Sequence, residues 1–332
     1  MMETVYIPPI ERPVSRIALG TWAIGGWMWG GSDDINAIAT IQKAVLECGI
    51  NIIDTAPVYG FGHAETLVGR ALSGGLREKV VIATKTSLDW DDDGNVMRNA
   101  TRKRIFKEVD DSLERLQTDY IDLYQVHWPD PMVSAEETAS AMNELLEMGK
   151  IRAIGVSNYS VEQIESFRQY APLHSDQPPF NLFERQAAQE ILPFCEKNGL
   201  ATLTYGILCR GLLSGRMKGD TRFEGDDLRL RDPKFQPPRY VQYLQAVSEL
   251  SALARSRYGK SVMDLAARWV LDHPGVSVAI WGARRPDQLN AIREVTDWYL
   301  DAETKKEIES ILERCVRDPV GAEFMAPPLA GC

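Results

Sequence analysis

Asp54, Tyr59, Lys85 and His127 follow one another along the chain, each at or just past the end of an apolar run. A free phenol has a pKa of about 10 and is a poor acid at neutral pH. A lysine ammonium beside it favours the phenolate and lowers that pKa. A carboxylate in turn keeps the lysine charged, a role that suits Asp54. His127 can orient a substrate oxygen or share in proton transfer. Together the four suit the delivery of a proton to a carbonyl oxygen as negative charge develops on it. Singly, each has an ordinary alternative: an aspartate at a strand end caps helices or forms structural ion pairs, and a lone Lys or His in a loop is solvated. The loop "NIIDTAPVYGFGHAE" also carries Gly60 and Gly62 in a G-x-G pattern that suggests a phosphate cradle. Glu65 stands where a third glycine would fall, and the loop does not follow a first strand. The glycines are better taken as turn residues beside the site.

Residues scattered in this way need a scaffold that brings strand ends together. Apolar runs that read as buried strands start near Arg16, Asn51, Val80, Tyr120, Ile151, Leu173, Leu200 and Val276. Helix-period segments such as "DDINAIATIQKAVLECG", "TRKRIFKEVDDSLERLQT" and "SAEETASAMNELLEMG" lie between them. Several open on Asp, Ser or Thr and close on Gly, as capping favours. Eight strands alternating with helices predict a single (β/α)8 barrel, TIM-like, over residues 1–332. An open doubly wound sheet is the rival, but "ALGTWAIGG" lacks the glycine turn that sheet needs after its first strand. In a barrel the C-terminal strand ends share one rim, and neighbouring strands lie about 5 Å apart, so the four side chains can converge. Residues 216–239, "RMKGDTRFEGDDLRLRDPKFQPPR", form a long charged insertion that is either a solvated excursion or a lid.

Bulk properties narrow the classes of partner. Of the 332 residues 44% are hydrophobic and 25% charged, an ordinary globular composition. A net charge of −10 argues against nucleic acid and other polyanions. Cys48, Cys195, Cys209, Cys315 and Cys332 form no C-x-x-C, which suggests reduced thiols and a cytoplasmic setting. No apolar stretch approaches the roughly 18 residues a membrane span needs, so no membrane partner is expected. His63, His127, His174 and His273 show no zinc-ligand spacing, and no metal is expected. Nothing chooses between a monomer and a homo-oligomer.

The motifs "NIIDTAPVYGFGHAE", "VVIATK" and "YIDLYQVHW", continued by "GKIRAIGVSNYS", "QPPFNLFER", "GLLSGR" and "GARRPDQL", resemble the aldo-keto reductase family over nearly the whole chain. The likeness is greatest to prokaryotic-type members and to potassium-channel β-subunits. It implies reversible NADPH-dependent reduction of aldehydes or ketones on a (β/α)8 barrel. Tyr59 would be the proton donor, Lys85 its pKa-lowering partner, Asp54 the support of Lys85, and His127 the orienting group. Ser157, Asn158 and Gln177 would hold the nicotinamide carboxamide, Tyr205 would stack on the ring, and Thr21, Trp22 and Asp54 would complete that end. Gly206, Leu208, Arg210, Gly211 and Leu213 would bind the pyrophosphate, although Gly206 and Ile207 replace the commoner Ser-Pro pair. Gly282, Ala283, Arg284 and Gln288 would hold the adenosine end, where the Arg284–Arg285 patch favours NADP(H) over NAD(H). Ile292 stands where the family often places an adenine-binding Asn. "SN" is also a common turn, and Tyr205 could be core.

Trp22, Trp27, Trp29, Trp90 and Trp128, with Phe61, lie in loops after strand ends and suggest a pocket for an apolar or ring-bearing small-molecule carbonyl. Sugar-derived aldehydes fit the same wall, and some of these rings would only pack loops down. Two other classes are compatible with the residues: a slow redox-sensing subunit that holds NADPH, and a Schiff-base lyase on Lys85. The second is disfavoured because a nearby carboxylate opposes the neutral amine it needs.

Overall fold

The computed structural model describes residues 2–329. Its centre is a closed parallel barrel of eight strands: β1 (Ile17–Gly20), β2 (Ile52–Asp54), β3 (Val81–Thr86), β4 (Leu123–Val126), β5 (Ile154–Ser157), β6 (Ser175–Gln177), β7 (Ala201–Thr204) and β8 (Val278–Gly282). Each pairs with its neighbour in sequence, and β8 closes on β1 with Ala279 opposite Ile17 and Gly282 opposite Gly20. All eight expected strands are present in the expected order.

The covering helices are α1 (Asp34–Leu46), α2 (His63–Ala71), α3 (Arg102–Leu116), α4 (Ala135–Glu147), α5 (Val161–Phe167), α6 (Ile191–Lys197), α7 (Arg239–Tyr258), α8 (Val262–Leu271) and α9 (Ala302–Cys315). Asp33, Thr101 and Ser134 cap the three helices read from the sequence, each side chain accepting a backbone N–H three residues on. α3 stops at Gln117 in the left-handed region rather than at a glycine.

Strand alternation divides the core in two. Inside the barrel, Ala18, Ile52, Val81, Ala83, Leu123, Ala153, Ala201, Leu203, Val278 and Ile280 form one apolar cluster. Ile7, Ile10 and Val14, from the antiparallel hairpin Thr4–Val5 and Val14–Ser15, join it and plug the N-terminal end. The larger cluster lies between barrel and helices. Inward positions therefore change from apolar at the bottom to polar at the top, where Asp54, Lys85, Gln125 and Gln177 are all buried. A second hairpin, Leu88–Trp90 with Val96–Arg98, follows β3 at that upper rim.

The insertion 216–239 is partly built. It contains the short turns Leu228–Leu230 and Pro233–Phe235, with Leu228, Asp232, Lys234 and Phe235 buried. Its middle crosses to the loop after β1, where Leu228 N donates to Met28 O (3.0 Å) and Met28 N to Asp226 Oδ2 (2.6 Å). Among the described residues no helix is long and apolar enough to cross a membrane. Cys48, Cys195, Cys209 and Cys315 are free thiols, and Cys332 lies outside the described residues.

Candidate active site

The loop after β2 sets the centre of the site. Gly60 has φ +68°, and a Cβ there would lie 2.1 Å from Gly25 O; a Cβ on Gly25 would lie 2.5 Å from the Tyr59 carbonyl. Two bare backbones thus touch, and the contact seats Tyr59 beneath the short helix Trp22–Gly25. Gly62, at φ +96°, opens α2. Both glycines serve the turn, as expected.

Lys85 Nζ lies 2.8 Å from each carboxylate oxygen of Asp54, 2.9 Å from Thr55 O and 3.3 Å from the Tyr59 hydroxyl. Its ammonium is fully buried and every proton has an acceptor. The Tyr59 ring is stacked on Trp22 (centroids 5.8 Å, interplanar angle 20°) and meets His127 edge-on at 5.8 Å. The four predicted residues converge from β2, its following loop, β3 and the end of β4.

Burial dominates the electrostatics. It lowers the Lys85 pKa, which the Asp54 carboxylate opposes. It also depresses His127 well below its ordinary value, with the Lys85 charge adding to the effect, so the imidazole is neutral. For Tyr59 the outcome runs against expectation. Burial first, then the Asp54 charge and Tyr205, push the phenol well above its usual range. The phenol is therefore fully protonated at neutral pH.

Beside this cluster lie the residues expected to hold the carboxamide. Gln177 Nε2 donates to Asp54 Oδ1 (2.8 Å). Ser157 Oγ donates to Gln177 O (2.8 Å). Asn158, at φ +62°, donates to His127 O (2.9 Å) and accepts from the Tyr205 hydroxyl (2.8 Å). Thr21 is spent on strand pairing, with both N and Oγ1 donating to Asp54 O at 3.0 Å.

The expected pyrophosphate segment forms a turn in which Gly206, Cys209, Arg210 and Gly211 all have positive φ. The Arg210 guanidinium does not stand free above it. It pairs with Glu184 and with Asp232 Oδ2 (2.6 Å), and Lys234 Nζ joins Glu184 at 2.8 Å, all four groups being buried. Lys234 also donates to Gly321 O (2.6 Å), which ties the C-terminal tail to the insertion. Leu208 and Leu213 belong to the same turn. At the end of β8, Gly282 is exposed and a Cβ there would meet nothing within 4 Å. Past Ala283, Gln288 Oε1 accepts from the backbone N–H of Arg284 (2.9 Å) and Arg285 (3.1 Å), so that side chain shapes the turn. Arg284 Nη1 donates to Trp29 O (2.7 Å).

The aromatic residues do assemble. Trp22, Trp27, Trp90 and Trp128 pack on Val58, Tyr59 and Leu88. Phe61 bridges Trp27 (5.1 Å) and Trp90 (5.5 Å), and Trp29 meets Trp22 edge-on at 5.6 Å. Sequence reasoning did not single out Arg104, which holds the hairpin behind Trp90 by donating to Leu88 O (3.0 Å) and pairing with Asp89 (3.0 Å). It also missed Glu184, Asp232 and Lys234.

A closed parallel barrel with an Asp–Lys–Tyr–His cluster at its C-terminal rim defines an oxidoreductase class acting on carbonyl compounds. Residues 16–313 match the Aldo/keto reductase family, and the chain belongs to that family. It is 58% identical to the aldo-keto reductase YhdN of Bacillus subtilis over 328 residues, 98% of either chain. The glycerol dehydrogenase AKR11B4 of Gluconobacter oxydans superposes with a TM-score of 0.88 at 52% identity, covering 97% of this chain and 99% of that one. The NADH-specific methylglyoxal reductase of Escherichia coli is 34% identical over 94% of this chain and 100% of its own. A probable voltage-gated potassium channel subunit beta of rice (Oryza sativa) is 31% identical over 90% and 93%, in line with the expected kinship.

Proposed function

We propose that the chain reversibly reduces aldehydes or ketones to alcohols with NADP(H), Tyr59 acting as the proton donor. The observation that carries the reading is the buried Lys85 ammonium, which bonds the Asp54 carboxylate and the Tyr59 hydroxyl at once. A reduced nicotinamide, when bound, supplies the hydride. The residues present fit such a group: Ser157, Asn158, Gln177 and Tyr205 form a polar network joined to Asp54, and Gly282 opens onto free space.

Tyr59 enters the reaction as a neutral phenol, the form an acid must have. It gives its proton to the carbonyl oxygen as that oxygen becomes an alkoxide. The phenolate left behind forms 3.3 Å from the Lys85 ammonium, whose charge stabilises the negative charge as it develops there. Asp54 keeps that ammonium charged in a buried place that would otherwise neutralise it. Neutral His127 can donate to the substrate oxygen without adding a second positive charge. The tryptophans packed around Tyr59 support an apolar or ring-bearing substrate. Preference for NADP(H) rests on Arg284 and Arg285, two cations at the turn after β8 in an acidic protein.

Steady-state turnover with NADPH and with NADH, across aromatic, sugar-derived and small aliphatic aldehydes, tests the proposal. Tight NADPH binding with no substrate consumed would replace it by a redox-sensing role. Equal rates with both cofactors would remove the NADP preference alone.

A further inference from the structure

Gln125 is a fully buried polar residue inside the barrel for which the proposed chemistry has no use. It lies on β4 in register with Lys85 on β3 and Gly155 on β5, and Gly155 is in register with Ser175 on β6. Space for it is made by a missing side chain. A Cβ on Gly155 would sit 2.5 Å from Ser175 Oγ and 2.8 Å from Gln125 Cγ. Gln125 Oε1 accepts from Gln177 Nε2 at 3.3 Å, while Gln125 Nε2 and Ser175 Oγ have no partner. An apolar side chain would fill that row at lower cost, because buried unpaired amides are destabilising.

The amide orientations follow from one charge. Gln177 donates to Asp54 Oδ1 at 2.8 Å. Turning that amide over would set its oxygen against a carboxylate oxygen, so the nitrogen must face Asp54. Its second proton then needs an acceptor, and Gln125 Oε1 is that acceptor. With both Nε2 protons drawn toward Asp54 and Gln125, Gln177 Oε1 is left to turn toward the barrel mouth, where the chain's carboxamide-binding residues gather.

We propose that Gln125 is a positioning residue for dinucleotide binding: it locks the Gln177 amide so that Oε1 faces the nicotinamide carboxamide as an acceptor. The proposal rests on the cofactor reading above and adds to it a residue that touches neither cofactor nor substrate. Its effect must be confined to the nicotinamide end, because Gln125 is held on the far side of Gln177 from any ligand. It must also be the same for NADP+ and NAD+, which share the carboxamide.

The test is the binding of NADP+, NAD+ and 2′,5′-ADP to wild type and Gln125→Met, followed by quenching of tryptophan fluorescence. Methionine keeps the volume and removes an unpaired donor while leaving one Gln177 proton unpaired, so the melting temperature should stay close to that of wild type. The expected result is a loss of about tenfold in affinity for both dinucleotides, the scale of one oriented hydrogen bond, with 2′,5′-ADP binding unchanged. Gly155→Ala, which crowds Gln125 from the other side, should give the same selective loss. Unchanged dinucleotide affinity in Gln125→Met overturns the proposal. So does a parallel loss for 2′,5′-ADP, which would mark Gln125 as merely structural. If wild type binds neither dinucleotide, the cofactor reading itself fails, an outcome distinct from both.

Discussion

The Lys85 ammonium sits between the Asp54 carboxylate and the Tyr59 hydroxyl, 2.8 Å from the first and 3.3 Å from the second. Tyr59→Phe keeps the ring that stacks on Trp22 and removes only the transferable proton. Turnover should fall by roughly a thousandfold or more, with NADPH affinity about unchanged. Retention of more than about a tenth of wild-type turnover would show that another group is the acid.

Arg284 reaches across to the loop after β1 through Trp29 O, which sets its planar cation at the turn after β8. Arg284→Ala should weaken NADPH binding by roughly tenfold or more and NADH binding far less. Equal losses for the two cofactors, measured by titration, would refute recognition of the 2′-phosphate by this residue.

Asp176 on β6 points out of the barrel, fully buried, and neither carboxylate oxygen has a hydrogen-bond partner. Burial raises its pKa to about 8. Its unfolded value is about 3.9. Between those values the folded protein holds a proton that the unfolded chain releases, so stability falls as pH rises through that window and stays lost above it. Asp176→Asn removes the titration. The variant should melt at a higher temperature than wild type at pH 8, by roughly 5 °C, and the gap should close toward acid pH. A gap independent of pH would mean that Asp176 does not carry this titration.

The insertion bridges to the first loop through Asp226 and Leu228, at a place flanked by Arg284. We expect this strap to slow cofactor exchange. Asp226→Ala should raise the NADPH dissociation rate several-fold in stopped-flow fluorescence. It should also speed proteolytic cleavage within 216–239 in the absence of cofactor. An unchanged dissociation rate would rule out a gating role.

The barrel was legible because its strands are short apolar runs separated by capped helices, and the four central residues because each ends such a run. Other features needed the third dimension. Leu123, Gln125 and His127 alternate visibly toward one face, yet Gln125 gains meaning only from Gln177, 52 positions away. The resemblance gave Arg210 to the pyrophosphate, while its pairing with Glu184 and with Asp232 from the insertion shows only in the folded chain. Lysine next to phenol predicts a lowered pKa in water-like surroundings. Full burial reverses the sign for Tyr59, and burial at that depth is a property of the closed barrel rather than of the motif.

The contact between Gly25 and Gly60 is made by main chain alone, so the backbone that carries Tyr59 is placed without help from the outer aromatic side chains. We expect that Trp27, Phe61 and Trp90, which touch one another rather than the Tyr59 ring, can be exchanged for smaller or more polar groups without displacing the Tyr59 hydroxyl. On the proposed function, the aromatic wall and the chemical machinery would then be separable parts for anyone wishing to retarget the catalyst.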